Sequence, residues 1–189
     1  MTIGEVRKDS MDDNGQVAVF GGGCFWCTEA VYAQLKGVVS VAPGYAGGHT
    51  ENPTYADVCR DDTGHAEVIK IEFDPSEITY DQLLDVFFAS HDPTTLNRQG
   101  AGRGIHYRSL ILYSSDDQKA QAETFIKKLD ASGSKGDPIV TEIAELDNFY
   151  EAEEEHKQFY LNNSDSMYCQ MVIKPKVEKV RGQFAEPLR

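Results

Sequence analysis

Residues 16–37 read QVAVFGGGCFWCTEAVYAQLKG. The opening QVAVFGGG is a short apolar run ending in glycines, as a buried strand would be. From Cys24 the period changes. Cys24, Cys27, Val31 and Leu35 fall on one face of a helix, and Gly37 suits its C-terminal cap. A strand that hands over to a helix through glycines makes a nest of backbone N–H groups. Cys24 then sits at a helix N-terminus, where the dipole favours thiolate over thiol. The glycines, Gly23 among them, let a substrate come close to the backbone. Phe25 and Trp26 offer an apolar wall beside the sulfur. On these residues alone, a buried and inert cysteine in a glycine turn is an equal reading.

Working outward, VVSVAPGYAGG is a second strand entering a loop, and residues 47–62 are a loop containing Tyr55 and Cys59. HAEVIKIEF alternates as a third strand. Thr79 and Gln82 form a capping box for a helix to about Ser90. A glycine-rich loop, RQGAGRGIHYRS, precedes the strand SLILY. Ser115 and Gln118 cap the next helix, PIVTEIAEL is a strand, and FYEAEEEHKQFY is predicted as an acidic helix. From Asn162 the chain has little periodicity. The pattern predicts an α+β fold: a mixed sheet with packed helices, a ferredoxin-like two-layer core and a long irregular C-terminal tail carrying Cys169. Residues 1–15 are expected to be a flexible arm and residues 16–189 a single catalytic domain.

The bulk numbers remove several function classes. Thirty-one acidic residues against 18 basic ones give a net charge of −13. Nucleic acid and anionic membrane are therefore not expected partners. No apolar stretch approaches the roughly 18 residues of a spanning helix. The first twenty residues have no apolar run of signal-peptide length, so a cytoplasmic location is expected. In that reducing setting four cysteines point to catalysis, redox sensing or metal rather than to staples. His65, His91 and His156 have no metal-ligand spacing, and no metal is expected.

The third strand adds an acid. Glu67 shares a face with His65, Ile69, Ile71 and Phe73. A carboxylate on an apolar face finds a cation or stays protonated, and a protonated carboxyl is a proton donor. It could equally lie wet at the strand end. Two further readings of the cysteines stand beside this. Cys-x-x-Cys opening a helix after a strand also suits a dithiol oxidoreductase. Cys24, Cys27, Cys59 and Cys169 could form a zinc site, although two ligands on one helix leave poor tetrahedral freedom. Tyr45 is pocket or packing, and Cys59 a small loop filler.

GGCFWCTEA, PGYAGGHTENPTY, TGHAEVIKIEFDP, HDPTTLNRQG, HYRS and FYEAEEEHKQFY occur in this order. Over roughly Val17 to Cys169 the chain closely resembles A-type peptide methionine sulfoxide reductases. The resemblance implies reduction of the S epimer of methionine sulfoxide, free or in proteins, without metal or organic cofactor. It implies that Cys24 is the nucleophile and becomes a sulfenic acid, that Glu67 protonates the sulfoxide oxygen, and that Tyr55 and Tyr107 hold that oxygen. Phe25 and Trp26 match the pocket for the substrate methyl. A second thiol closes a disulfide that thioredoxin reduces. Cys169, in MYCQ, matches the usual resolving cysteine, and Cys27 is the alternative resolving or relay thiol. A monomer is expected. The chain departs from the family pattern at Cys27, where glycine is commonest, at Gly102, where an aspartate is frequent, and at His106, in place of glutamine.

Overall fold

A computed structural model describes residues 15–184. The expected N-terminal arm lies outside the described residues, apart from Gly15. Strand β1, Gln16–Gly22, leads into helix α1, Phe25–Ala33. β2 is Val38–Ala46, and the loop after it contains a short helix, α2, Tyr55–Cys59. Thr54 and Asp57 close a capping box that starts α2, a signal hidden in what the glycines and prolines present as plain loop. β3, Ala66–Phe73, and helix α3, Tyr80–Ser90, follow, the latter capped by Thr79 and Gln82 as predicted. A small hairpin, β4 Arg98–Gln99 and β5 Gly102–Arg103, precedes β6, Ser109–Tyr113. Helix α4, Asp116–Ser132, is capped by Ser115 and ends at Gly133 in the left-handed region (φ 65°).

The sheet order is β7-β6-β1-β3-β2-β8, with β7 at Glu142–Glu145 and β8 at Phe149–Glu151. Its inner four strands run fourth-first-third-second, all antiparallel, with α1 and α3 as the two crossovers. That is the ferredoxin-like order. β7 adds a parallel edge beside β6, and β8 an antiparallel edge beside β2. The main core lies between sheet and helices: Phe20, Ile69, Ile71 and Phe73 from the strands meet Leu83, Leu84 and Phe87 from α3. Each such side chain is worth about 1.5–3 kcal/mol on burial. A smaller cluster of Val19, Val68, Leu110 and Leu112 covers the other face of the sheet. The alternation read in HAEVIKIEF is thus real: odd positions face the helices, even positions the far side.

Two expectations are corrected. The acidic stretch is not a continuous helix. Phe149–Glu151 pairs with β2, Ala152 N–H donates to the Pro43 carbonyl, and a 3₁₀ turn, Glu154–His156, comes before helix α5, Phe159–Asn162. The free edge of β2 offers a ladder of hydrogen bonds that outweighs the helix propensity of glutamates. Nor is the C-terminal tail irregular. A π-helical turn, Cys169–Ile173, runs into helix α6, Lys174–Gln183. Cys169, Ile173, Val177 and Val180 are buried, so tertiary packing holds a helix that its own weak periodicity does not announce. Among the described residues no helix is long and apolar enough to cross a membrane.

Candidate active site

β1 delivers Cys24 to the N-cap of α1 in an extended conformation. Gly23 makes the corner at φ 90°, where a Cβ would press to 2.6 Å from Gln99 Cγ. The thiol itself makes no cap hydrogen bond. The first free N–H of the helix, that of Phe25, donates instead to Glu67 Oε2 at 3.1 Å. Glu67 is 1% exposed. Burial pushes its carboxyl up to about 8, against the pull of the Phe25 N–H. At neutral pH it is mostly a neutral acid at the positive end of a helix.

Aromatic rings wall the space around these groups. The Phe25 ring lies 5.7 Å from Tyr45 and 6.3 Å from Tyr55. Phe159 stacks on Trp26 at 3.7 Å, Tyr168 meets its edge, and Trp26 Nε1 donates to His156 Nδ1 at 3.1 Å. Glu153 ties two tyrosines: its carboxylate accepts from Tyr45 OH at 3.0 Å and from the Tyr55 N–H at 3.2 Å. Tyr107 stands on a 3₁₀ turn, Ile105–Tyr107. Its ring lies against Gly102, where a Cβ would stand 2.8 Å from the ring edge, so glycine at this position makes room for the tyrosine. Burial, followed by the nearby Glu67, pushes the Tyr55 and Tyr107 phenols up, keeping both as donors. The His106 ring lies tilted against Tyr107, centroids 4.0 Å apart, and its Nδ1 is held by the Asp61 carboxylate.

The thiols behave differently from the expectation of a thiolate at Cys24. The hydrogen bond to Cys27, then burial and Glu67, push Cys24 well up. The same hydrogen bond pulls Cys27 down to about 7, helped by Lys176 and by Tyr168, whose hydroxyl is 3.7 Å from Cys27 Sγ. The two thiols titrate as a pair, Cys24 held up and Cys27 held down by their mutual hydrogen bond, with Glu67 adding to the rise of Cys24. All four cysteines are free. Cys169 is fully buried in the π turn, its N–H donating to Ser166 Oγ. Among the described residues no three cysteines converge as metal ligands. Cys59, exposed at the end of α2, has its thiol within 4.8 Å of ligand atoms of Glu67 and His106.

Of the predicted residues, Cys24, Phe25, Cys27, Tyr55 and Tyr107 gather about Glu67, Trp26 adjoins them through His156, and Gly23 precedes Cys24. Cys169 lies beside this group in the π turn, which packs against α1 directly after Tyr168. Sequence reasoning missed Glu153, His156, Phe159 and Tyr168. The first three hide in the acidic run, where the strand-like pair Phe149 and Tyr150 is the one signal against a helix. Tyr168 is marked by nothing except its adjacency to Cys169.

The family model described as peptide methionine sulfoxide reductase matches residues 16–188. A peptide methionine sulfoxide reductase MsrA of Natronomonas pharaonis is 53% identical over 169 residues, 89% of this chain and 95% of that protein. One of Sulfolobus acidocaldarius is 54% identical over 171 residues, 90% of this chain and 96% of that protein. Among solved structures, Mxr1 from Saccharomyces cerevisiae in reduced form is similar with a TM-score of 0.73 and 34% identity, covering 82% of this chain and 90% of that one. With the family model matching residues 16–188 and relatives more than half identical over about nine-tenths of the chain, the chain belongs to the peptide methionine sulfoxide reductase family.

Proposed function

We propose that Cys24 reduces methionine S-sulfoxide, free or in proteins, with Glu67 as the acid. The observation that carries this is the neutral Glu67 carboxyl fixed to the N-terminus of α1, one residue from the nucleophile. A sulfoxide oxygen leaves poorly until it is protonated. Tyr55 and Tyr107 hydroxyls hold that oxygen, and Phe25 and Trp26 receive the methyl. Cys24 Sγ attacks the sulfoxide sulfur while its own proton passes to the Cys27 thiolate. Glu67 gives its proton to the oxygen of the resulting sulfur–sulfur adduct; the hydroxyl then passes to Cys24 Sγ as the substrate sulfur gives up both its bond to oxygen and its bond to Sγ, and methionine leaves with Cys24 as the sulfenic acid. Cys27, now a thiol, attacks the sulfenic sulfur, forming the Cys24–Cys27 disulfide and releasing water.

Cys169 completes the relay: its thiolate attacks Cys27, freeing Cys24 and leaving a Cys27–Cys169 disulfide. This order is supported by Cys27 standing one helical turn from Cys24, its N–H donating to the Cys24 carbonyl at 3.1 Å, whereas Cys169 is packed in a helical turn. A strained i,i+3 disulfide exchanges readily. Thioredoxin is the proposed final reductant. Mxr1 has been solved in complex with Trx2, and that chain is similar to this one with a TM-score of 0.52 and 28% identity. The proposed setting is the cytoplasm, as a monomer.

Single-turnover release of methionine tests the assignment. Cys24→Ser should abolish it, because a hydroxyl is far less ionised and less nucleophilic. Glu67→Ala should slow it at least about a hundredfold, and Glu67→Gln should recover part of the rate. Substantial turnover by Cys24→Ser, or a wild-type rate in Glu67→Ala, would remove the respective residue from its role.

A further inference from the structure

We propose that Cys59, Glu67 and His106 form a binding site for a zinc-class divalent cation, one that shuts off the reductase. Three different elements bring these residues together: the end of α2, strand β3 and the 3₁₀ turn before Tyr107. One ligand atom from each lies within 4.8 Å of the other two. Thiolate, carboxylate and imidazole are the donor set zinc takes, and three protein ligands leave a fourth position open.

The surroundings are organised as a ligand sphere would need. His106 Nδ1 is engaged by the Asp61 carboxylate, so the nitrogen left to ligate is Nε2. A carboxylate behind a histidine fixes its tautomer and ring direction and makes it a better ligand. Asp61 also accepts from the His106 N–H, and itself occupies the left-handed region at φ 60°. Such strain in a residue other than glycine persists only where its surroundings enforce it. A Cβ on Gly104 would reach 2.6 Å from His106 Nδ1, so the turn is shaped around this histidine. Zinc holds its ligand atoms about 3.5 Å apart, given bonds of about 2.0–2.3 Å. Closing the gap takes a rotation of the exposed Cys59 side chain away from its hydrogen bond with Tyr55.

Binding displaces two protons, one from the Cys59 thiol and one from the Glu67 carboxyl, and leaves both groups anionic on the metal. The consequence for catalysis rests on the proposed role of Glu67: a metal-bound carboxylate has no proton to give. Cys24 and Cys27 are untouched, so inhibition is reversible on chelation.

Cobalt serves as the spectroscopic probe. In the chain carrying Cys24→Ser, Cys27→Ser and Cys169→Ser, Cys59 is the one thiol left. It should bind one cobalt with a thiolate charge-transfer band, and His106→Gln added to it should lose the band. No band, or a band indifferent to His106→Gln, overturns the site. Should the triple variant not fold, zinc inhibition of the otherwise intact chain decides, read in single turnover with no added dithiol to chelate the metal. Excess zinc should slow wild type at least tenfold, while Cys59→Ser keeps the metal-free rate and escapes inhibition. Equal inhibition of the two overturns the proposal. A His106-dependent cobalt band in the triple variant together with an unslowed zinc-treated wild type keeps the site and instead refutes the acid role of Glu67, so the two failures are distinguishable.

Discussion

Glu67 and the Cys24–Cys27 pair titrate in opposition, and their order sets a pH window. The pair acquires its thiolate as pH rises through about 7, on Cys27. Glu67 loses its proton as pH rises through about 8. Both required forms coexist only around and between these values. The single-turnover rate should therefore be bell-shaped, peaking between about 7 and 8, and Glu67→Gln should lose the alkaline limb while keeping the acid one. An alkaline limb unchanged in Glu67→Gln would assign it to another group. The acid was legible in the sequence because alternation in a strand is strict, and an acidic residue on an apolar face stands out. The location of the thiolate was not. It depends on groups that only the fold brings to the two thiols: Glu67 beside Cys24, and Lys176 and Tyr168 beside Cys27.

At the scale of elements, the π turn and α6 would carry the proposed redox relay. The first strand, β3, α3 and α4 were legible from a clear period with a cap or a glycine stop; α1 was legible from its period alone, since it ends at Ala33 with Gln34 as its cap and not at the expected Gly37. β8 and α6 were not, since each forms through a partner surface rather than its own pattern: the open edge of β2 for one, the core beside α1 for the other. The corrected tail changes what cysteine variants should do. A buried Cys169 within a helical turn needs that turn to open before it reacts, and π turns are strained enough to be suited to this. Cys169→Ser should release one methionine and trap a Cys24–Cys27 disulfide, visible by mass mapping. Cys27→Ser should release one methionine and leave Cys24 as a sulfenic acid that a dimedone-type reagent captures. Rapid formation of a Cys24–Cys169 disulfide in Cys27→Ser would reverse the proposed order.

For the molecule as a whole, two buried acids tie stability to pH. Burial pushes Glu67 up to about 8 and Glu29 up to about 7. Their folded values lie above those of the unfolded chain, so the folded state holds protons that the unfolded state has released. This contribution is fully present below about pH 4.5 and is lost as pH rises through the folded values. Thermal unfolding should thus occur at falling temperature from about pH 5 to about pH 8. Glu67→Gln should flatten that slope and be more stable than wild type above pH 8, on the order of a few kcal/mol. Equal melting of the two proteins at pH 9 would contradict a buried acid. The hydrogen bond from Trp26 to His156 has a consequence on another clock. Its partners are 130 residues apart. A ribosome adding about 5–20 residues per second leaves an interval on the order of ten seconds between them. During synthesis the reactive cysteine emerges long before the wall that shapes its cleft, so each newly made chain carries a bare thiol until its last fifth is in place.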